Sequence, residues 1–309
     1  FYRALGTGMV ISVDSPIDDK VRSAMESLIE DYEHVLSRFR NDSLIAAIGK
    51  AEHGGSFDFP DWCAPLFDLY DALFSATSGA IDPCVGEDLI RLGYDASLSF
   101  TVTQDAPEHL GALRGRAVWG RDVTRHGTTL VTHEPVQLDF GACGKGYLVD
   151  LLGRMLQSSQ FVIDAGGDLL IHAEQPISVA LEDPEDQSHA IGIAHIANGA
   201  LCASAPSRRH WNVAVNERTQ IAIHHLLNAI DGLPAQQTEA SWAYVPANAT
   251  LNLARDYPTA VADGLATALF VSDVAQLQRT FDFTYATLDE SRQIAVSRNF
   301  PAELFLRSA

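Results

Sequence analysis

Apolar positions from Val21 through Met25, Leu28, Tyr32 and Leu36 recur at helical spacing, which predicts an amphipathic helix over about 18–37. It stops at LSRFRNDS, where Asn41, Asp42 and Ser43 offer turn and N-cap oxygens to the short apolar run LIAAI. A second helix is expected over 61–77, with Leu66, Leu69, Tyr70, Leu73 and Phe74 on one face and Ser78-Gly79 ending it. Ala80-Ile81-Asp82-Pro83 must then be extended or turning, because a proline disfavours helix at the residue before it.

Elsewhere the pattern alternates. FYRALGTGMVISV reads as a strand broken by Gly6 and Gly8, and short strands are expected around TTLVTH and PVQLDF. DFGACGKGYLVDLLGRML has the form of a strand end, a Gly-rich turn and a helix, and FVIDAGGDLLIHA follows as a strand or hairpin. ISVAL, AIGIAHI, WNVAV, TQIAIHHLL and ASWAYV are strand-like; the helical segment ADGLATALFV and another near VAQLQRTF interrupt them. With no repeat, low-complexity tract or linker, the pattern implies one continuous α+β domain over 1–309, two lobes being the alternative arrangement.

Composition narrows the partners. Across 309 residues, 47% hydrophobic and 20% charged content is that of a globular chain. A formal charge of −19 repels nucleic acids and anionic membrane surfaces. An anionic nucleotide is still admissible if a metal ion and a few local donors neutralise its phosphates. Cys63, Cys84, Cys143 and Cys202 are far apart and form no CxxC pair, which argues against a disulfide framework or a zinc site. No stretch reaches the length of a membrane span, and no signal-like n- and h-region opens the chain. Since Phe1 is not an initiator methionine, localisation stays open between the cytoplasm and export with a leader removed.

Five places can carry chemistry. Glycine lets the backbone N–H groups of 141–146 converge at a helix N-terminus, where Lys145 adds a charge; an anion cradle and an ordinary tight turn both fit. Asp263 and Thr267 stand four apart, so a helix aims a carboxylate and a hydroxyl the same way; a Mg2+ site competes with an Asp near a helix start and a Thr bonding back. His224 and His225 diverge if the strand continues, leaving one able to accept a proton in a cleft and both able to serve as structural histidines. Asp82 lies between a helix end and a proline turn, which simple turn chemistry also explains. Cys143 is either a reactive thiol or a small packing residue.

Taken in order, GTGMVISV, LSRFRNDSLIAAI, SGAIDPCVG, LDFGACGKGYLVD, VIDAGGDLLI, HHLLNAIDGLP and ADGLATALF resemble the ApbE family from residue 5 to about 271. The resemblance implies a mixed α+β, T-fold-like architecture with mainly antiparallel sheets and flanking helices. It also implies Mg2+-dependent transfer of FMN from FAD to a Ser or Thr hydroxyl of an acceptor flavoprotein, with AMP released. In the family's DxGxxxKG motif, met by Asp139, Gly141, Lys145 and Gly146, Asp139 and Lys145 are implied to hold FAD and the Ala142 carbonyl to bind Mg2+. Asp263 and Thr267 complete the implied metal site. Ala80, Ile81, Asp82 and Phe39 are implied flavin or adenine contacts, and Leu5 keeps apolar contact where the family has the Met of MGT. Lys145 is expected to stabilise charge in the transfer, and His225 to accept the hydroxyl proton. The chain departs from the family at Asn228-Ala229, where Asp-Pro is usual, and at Ala203-Ser204-Ala205, where Thr-Ser-Gly is usual. A Mg2+-dependent FAD pyrophosphatase and a non-catalytic FAD-binding protein are the competing readings; acceptor plus FAD separates them.

Overall fold

The computed structural model describes residues 1, 5–216 and 219–305. Tyr2–Ala4 of the expected opening strand lie outside the described residues. The longer helices are α1 (Asp19–Leu36), α2 (Ala64–Ala76), α3 (Gly144–Gly153) and α4 (Pro258–Ala268). The chain divides into two compact units: Phe1–Ile29 with Gly141–Ser207 and Gln236–Ala309, and Glu30–Phe140 with Arg208–Ala235.

The first unit is built on an eight-stranded sheet among the described residues. Its strands are β1 (Val10–Val13), β2 (Phe161–Asp164), β3 (Asp168–Glu182), β4 (Ala190–Ser204), β5 (Thr238–Pro246), β6 (Thr284–Asp289), β7 (Ile294–Val296) and β8 (Ala302–Leu304). They run in the order β1-β2-β3-β4-β5-β6-β7, with β8 on the far half of β4, and every ladder is antiparallel. The sheet is open, and the expected mixed α+β class with mainly antiparallel pairing is what the structure has.

Period-two alternation sorts the central strands. Leu201, Ala240 and Trp242 join Ile171, Ile196 and Leu288 in a core on one face. Ala200, Cys202, Ser241, Ala243 and Val245 point the other way and are also buried, because α3 and α4 cover that face. Two bonds show the cover: Ser241 Oγ donates to the Ala266 carbonyl at 2.6 Å and Cys202 Sγ lies 3.5 Å from the Thr259 carbonyl. Such strands read as continuous apolar runs, as ASWAYV does.

The two helices approach closely where α3 has no side chain. A Cβ at Gly146 would sit 2.3 Å from the Thr259 carbonyl oxygen. Pro258 opens α4, and Tyr257 at its N-cap makes no side-chain cap bond. Asp150 of α3 caps it instead, accepting from Thr259 N at 3.1 Å and Ala260 N at 2.8 Å. Burial pushes the Asp150 carboxyl up to about 7. The helix therefore begins before ADGLATALFV, and Asp263 lies mid-helix rather than near its start.

The second unit holds the rest of α1, α2 and a three-stranded sheet in which Thr129–Thr132 lies between Gly55–Asp58 and Val123–His126. The short helix Leu44–Gly49 starts at Ser43, whose side chain accepts from Ala46 N. Helix α2 ends as expected, Ser78 and Gly79 taking left-handed φ of 53° and 89° while Gly79 N bonds the Phe74 carbonyl. PVQLDF is not a strand: Asp139 N donates to the Pro83 carbonyl, and the Gln137 side chain donates through Nε2 to the Gly49 carbonyl, which ties the segment to helical turns instead of a ladder. WNVAV and TQIAI pair as a two-stranded antiparallel sheet, His210–Asn216 with Thr219–His224, and VAQLQRTF in the first unit yields one turn, Val274–Leu277.

Replacing glycine by alanine inside a helix normally gains about 1 kcal/mol, so Gly146→Ala isolates the close approach. The expected outcome is a net loss of about 1–3 kcal/mol in urea unfolding, as overpacking costs. A gain in stability would show that α3 and α4 do not meet there.

Candidate active site

In the first unit the Gly-rich turn ends at Cys143, and α3 starts at Gly144 with Lys145 in its first turn. Gly146 N donates to Asp263 Oδ2 at 2.9 Å, which fastens α3 to the middle of α4. One turn further along α4, Thr267 Oγ1 donates to the Ala142 carbonyl at 3.4 Å. Lys145 Nζ pairs with Asp168 Oδ2 and lies 3.8 Å from Asp263 Oδ1. Ala142 with Lys145 and Asp263 with Thr267, two stretches distant in sequence, thus meet, and Lys145 also pairs with a carboxylate not expected from the sequence, Asp168.

The electrostatics follow from burial. Asp168 is fully buried and Asp263 nearly so, while a third of the Lys145 side chain is exposed. Burial, followed by the negative charge of Asp168, pushes Asp263 up to about 8, against the pull of Lys145. Burial lowers the affinity of Lys145 for its proton, but Asp168 and then Asp263 outweigh it and hold the ammonium above the ordinary lysine value. Two carboxyl groups share one ammonium, and burial favours a proton on Asp263. Asp168 Oδ1 is buried without a hydrogen-bond partner among the described residues.

This donor set fits a hard cation: a carboxylate from Asp263, a hydroxyl from Thr267 and a carbonyl from Ala142. Among the described residues no three His, Cys, Asp or Glu side chains gather as a metal site, so carbonyl and hydroxyl oxygens would have to share the ligation. Cys143 is fully buried, which overturns the reactive-thiol reading in favour of packing.

The other expected residues lie in the second unit, except Leu5, which is half-buried in a left-handed turn of the first with φ 53°. Ala80, Ile81 and Asp82 are buried. The Asp82 carboxylate accepts from Cys84 N at 2.7 Å and from Trp119 N, and lies 3.6 Å from Arg116, so it is a cap and an ion-pair partner within the unit. Asp139 pairs with Arg38, and Phe39 is 41% exposed. His224 Nε2 donates to the Ala235 carbonyl at 2.7 Å and its Nδ1 accepts from Leu226 N, which makes it a structural histidine. His225 Nδ1 lies 3.2 Å from the Arg209 carbonyl, so that nitrogen carries the hydrogen and Nε2 is the basic one in the neutral ring.

A sequence profile of the ApbE family matches residues 5–287. The chain belongs to the ApbE family. An FAD:protein FMN transferase of Klebsiella pneumoniae (strain 342) is 23% identical over 274 residues, spanning 85% of this chain and 74% of that protein. One of Treponema pallidum (strain Nichols) is 27% identical over 286 residues, spanning 82% and 72%. Among solved structures, an ApbE protein from Thermotoga maritima aligns with a TM-score of 0.79 at 20% identity, covering 97% of this chain and 98% of that one. A flavin transferase ApbE from Vibrio cholerae aligns at 0.75 with 17% identity, covering 96% of each chain. At these identities the structures establish a shared fold.

One departure from the ApbE pattern has a local reason. Ala229, where proline is usual, donates its N–H to the Ala80 carbonyl at 3.0 Å, a bond proline cannot make. Asn228 Oδ1 accepts from Ile230 N, as an aspartate would. Asp168 had one signal in the sequence, an acid directly after Gly-Gly at the head of an apolar strand.

Lys145→Met removes the only positive charge named in this cluster. In EDTA the loss should reach about 2–3 kcal/mol, less than the full cost of breaking a buried pair because the lysine is partly exposed. Asp263, with its raised folded-state pKa, contributes stability below its unfolded pKa and loses that contribution as pH rises through the folded value. The deficit of the variant against wild type should therefore be larger at about pH 8 than at about pH 5 in thermal melts. An equal deficit at both would remove the coupling.

Proposed function

We propose that this chain transfers FMN from FAD to a Ser or Thr hydroxyl of an acceptor flavoprotein and releases AMP. The observation that carries the proposal is the cluster of Lys145, Asp168, Asp263, Thr267 and the Ala142 carbonyl, formed at the positions where the ApbE motifs stand. Curated relatives named FAD:protein FMN transferase support the same reading.

Asp263, Thr267 and the Ala142 carbonyl would hold Mg2+, whose charge, once bound, screens the pyrophosphate of FAD. Lys145, kept protonated by Asp168, offers an ammonium to phosphate oxygens in a setting where positioning and charge stabilisation dominate. Asp139 helps hold FAD, with Leu5, Phe39 and the 80–82 segment as further contacts. The acceptor oxygen forms a bond to the FMN-side phosphorus, the pyrophosphate bond to AMP breaks, and His225 Nε2 takes the hydroxyl proton.

Mass spectrometry of a flavodoxin-sized acceptor, incubated with the protein and FAD with and without Mg2+, tests this. A metal-dependent gain of one FMN unit is expected, absent with Asp263→Ala and slowed about 10²–10⁴-fold with His225→Ala. FMN and AMP released with the acceptor unmodified would make the protein a pyrophosphatase. FAD left intact and bound would make it a flavin-binding protein.

A further inference from the structure

In the second unit, Arg38 belonged to the LSRFRNDS motif without a role of its own. Its side chain is 7% exposed, and the guanidinium is fixed at two nitrogens: Nε pairs with Asp139 Oδ2, and Nη1 donates to the Tyr94 carbonyl at 2.5 Å. Nη2 is buried and has no hydrogen-bond partner among the described residues. A buried unpaired donor costs about 1–3 kcal/mol, and more when charged. The two anchors set the plane of the group, so it cannot turn away to satisfy that nitrogen without losing them.

The surroundings say what kind of acceptor fits. Arg38 Cζ lies 4.2 Å from the ring centre of Phe39 and 4.6 Å from that of Tyr94. Phe39 presents a part-exposed ring, while Tyr94 is held by Arg209 at its hydroxyl and stacks on Trp211 with centroids 5.8 Å apart. A rigid donor fork beside a part-exposed aromatic ring suits a flat heteroaromatic ring that carries acceptors in its own plane. A phosphate has acceptors but no face to set against Phe39, and an aliphatic group has neither.

We propose that Arg38 is a specificity-determining residue, whose Nη2 donates to an in-plane acceptor of a substrate ring packed against Phe39. The proposal rests on FAD being the substrate. FAD offers two such rings, the isoalloxazine with its pyrimidine carbonyls and the adenine with its ring nitrogens.

Calorimetric binding of riboflavin and of adenosine, each alone, to wild type and to Arg38→Lys decides it. Lysine keeps a charge for Asp139 but has no planar fork. Binding of one of the two ligands should weaken about tenfold or more, the scale of a lost charge-assisted hydrogen bond, while the other stays within about twofold. The ligand that weakens is the ring Arg38 reads. Both ligands holding within about twofold of wild type, with the thermal midpoint unchanged, would overturn the assignment and leave Arg38 a structural partner of Asp139. Wild type binding FAD in Mg2+ but neither ring alone would overturn the assignment only, and wild type binding none of the three would overturn it together with the reading of FAD as substrate. Should Arg38→Lys fail to fold, Arg38→Gln, which lacks the guanidinium fork, should weaken one of the two ligands alone; unchanged binding of both there would equally overturn the proposal.

Discussion

The placement of one ammonium governs the first unit. Lys145 Nζ faces Asp168 from the start of β3 and Asp263 from the middle of α4, and those carboxylates are buried too deeply for water to screen them. An isolated buried carboxylate costs several kcal/mol, so the helix carrying Lys145 and the two elements carrying the acids have to be held in register. Each device in the neighbourhood serves that end. Gly146 lets α3 reach α4, its amide binds Asp263, Asp150 caps α4, and Ser241 ties α4 to the sheet. The fold and the candidate chemistry are thus fixed by the same contacts.

The second unit uses arginine where the first uses lysine. Arg116 lies fully buried beside Asp88 at 2.8 Å and Asp82 at 3.6 Å and bonds the Ala229 carbonyl, so the segments that carry these residues converge on one guanidinium. Arg38 does the same for Asp139 and Tyr94 but keeps one nitrogen without a partner among the described residues. A fork with five donors can join several segments and still have a donor to spare, which an ammonium does less well.

Much of this was legible in the sequence, for identifiable reasons. Helix α1 and helix α2 were readable because their apolar positions keep a strict helical period and end in residues that favour turns, Asn41-Asp42-Ser43 and Ser78-Gly79. Asp263 and Thr267 were readable because a spacing of four means one face of any helix. What escaped depended on tertiary bonds. PVQLDF alternates like a strand, but its polar groups find helix ends. Pro258 begins α4 because Asp150, distant in sequence, supplies the cap. Asp168 escaped because nothing local says that its partner is Lys145, and Arg38 because an unsatisfied nitrogen is visible only when every neighbour is in place.

The central proposal is that Asp263, Thr267 and the Ala142 carbonyl hold a divalent cation, which together with Lys145 receives the pyrophosphate of FAD. Calorimetric titration of FAD into the wild-type protein, once in Mg2+ and once in EDTA, tests it most directly. The account predicts binding at least about tenfold tighter in Mg2+, a difference of about 1.4 kcal/mol, with the gain lost in Asp263→Asn. Equal affinity in both conditions would contradict it.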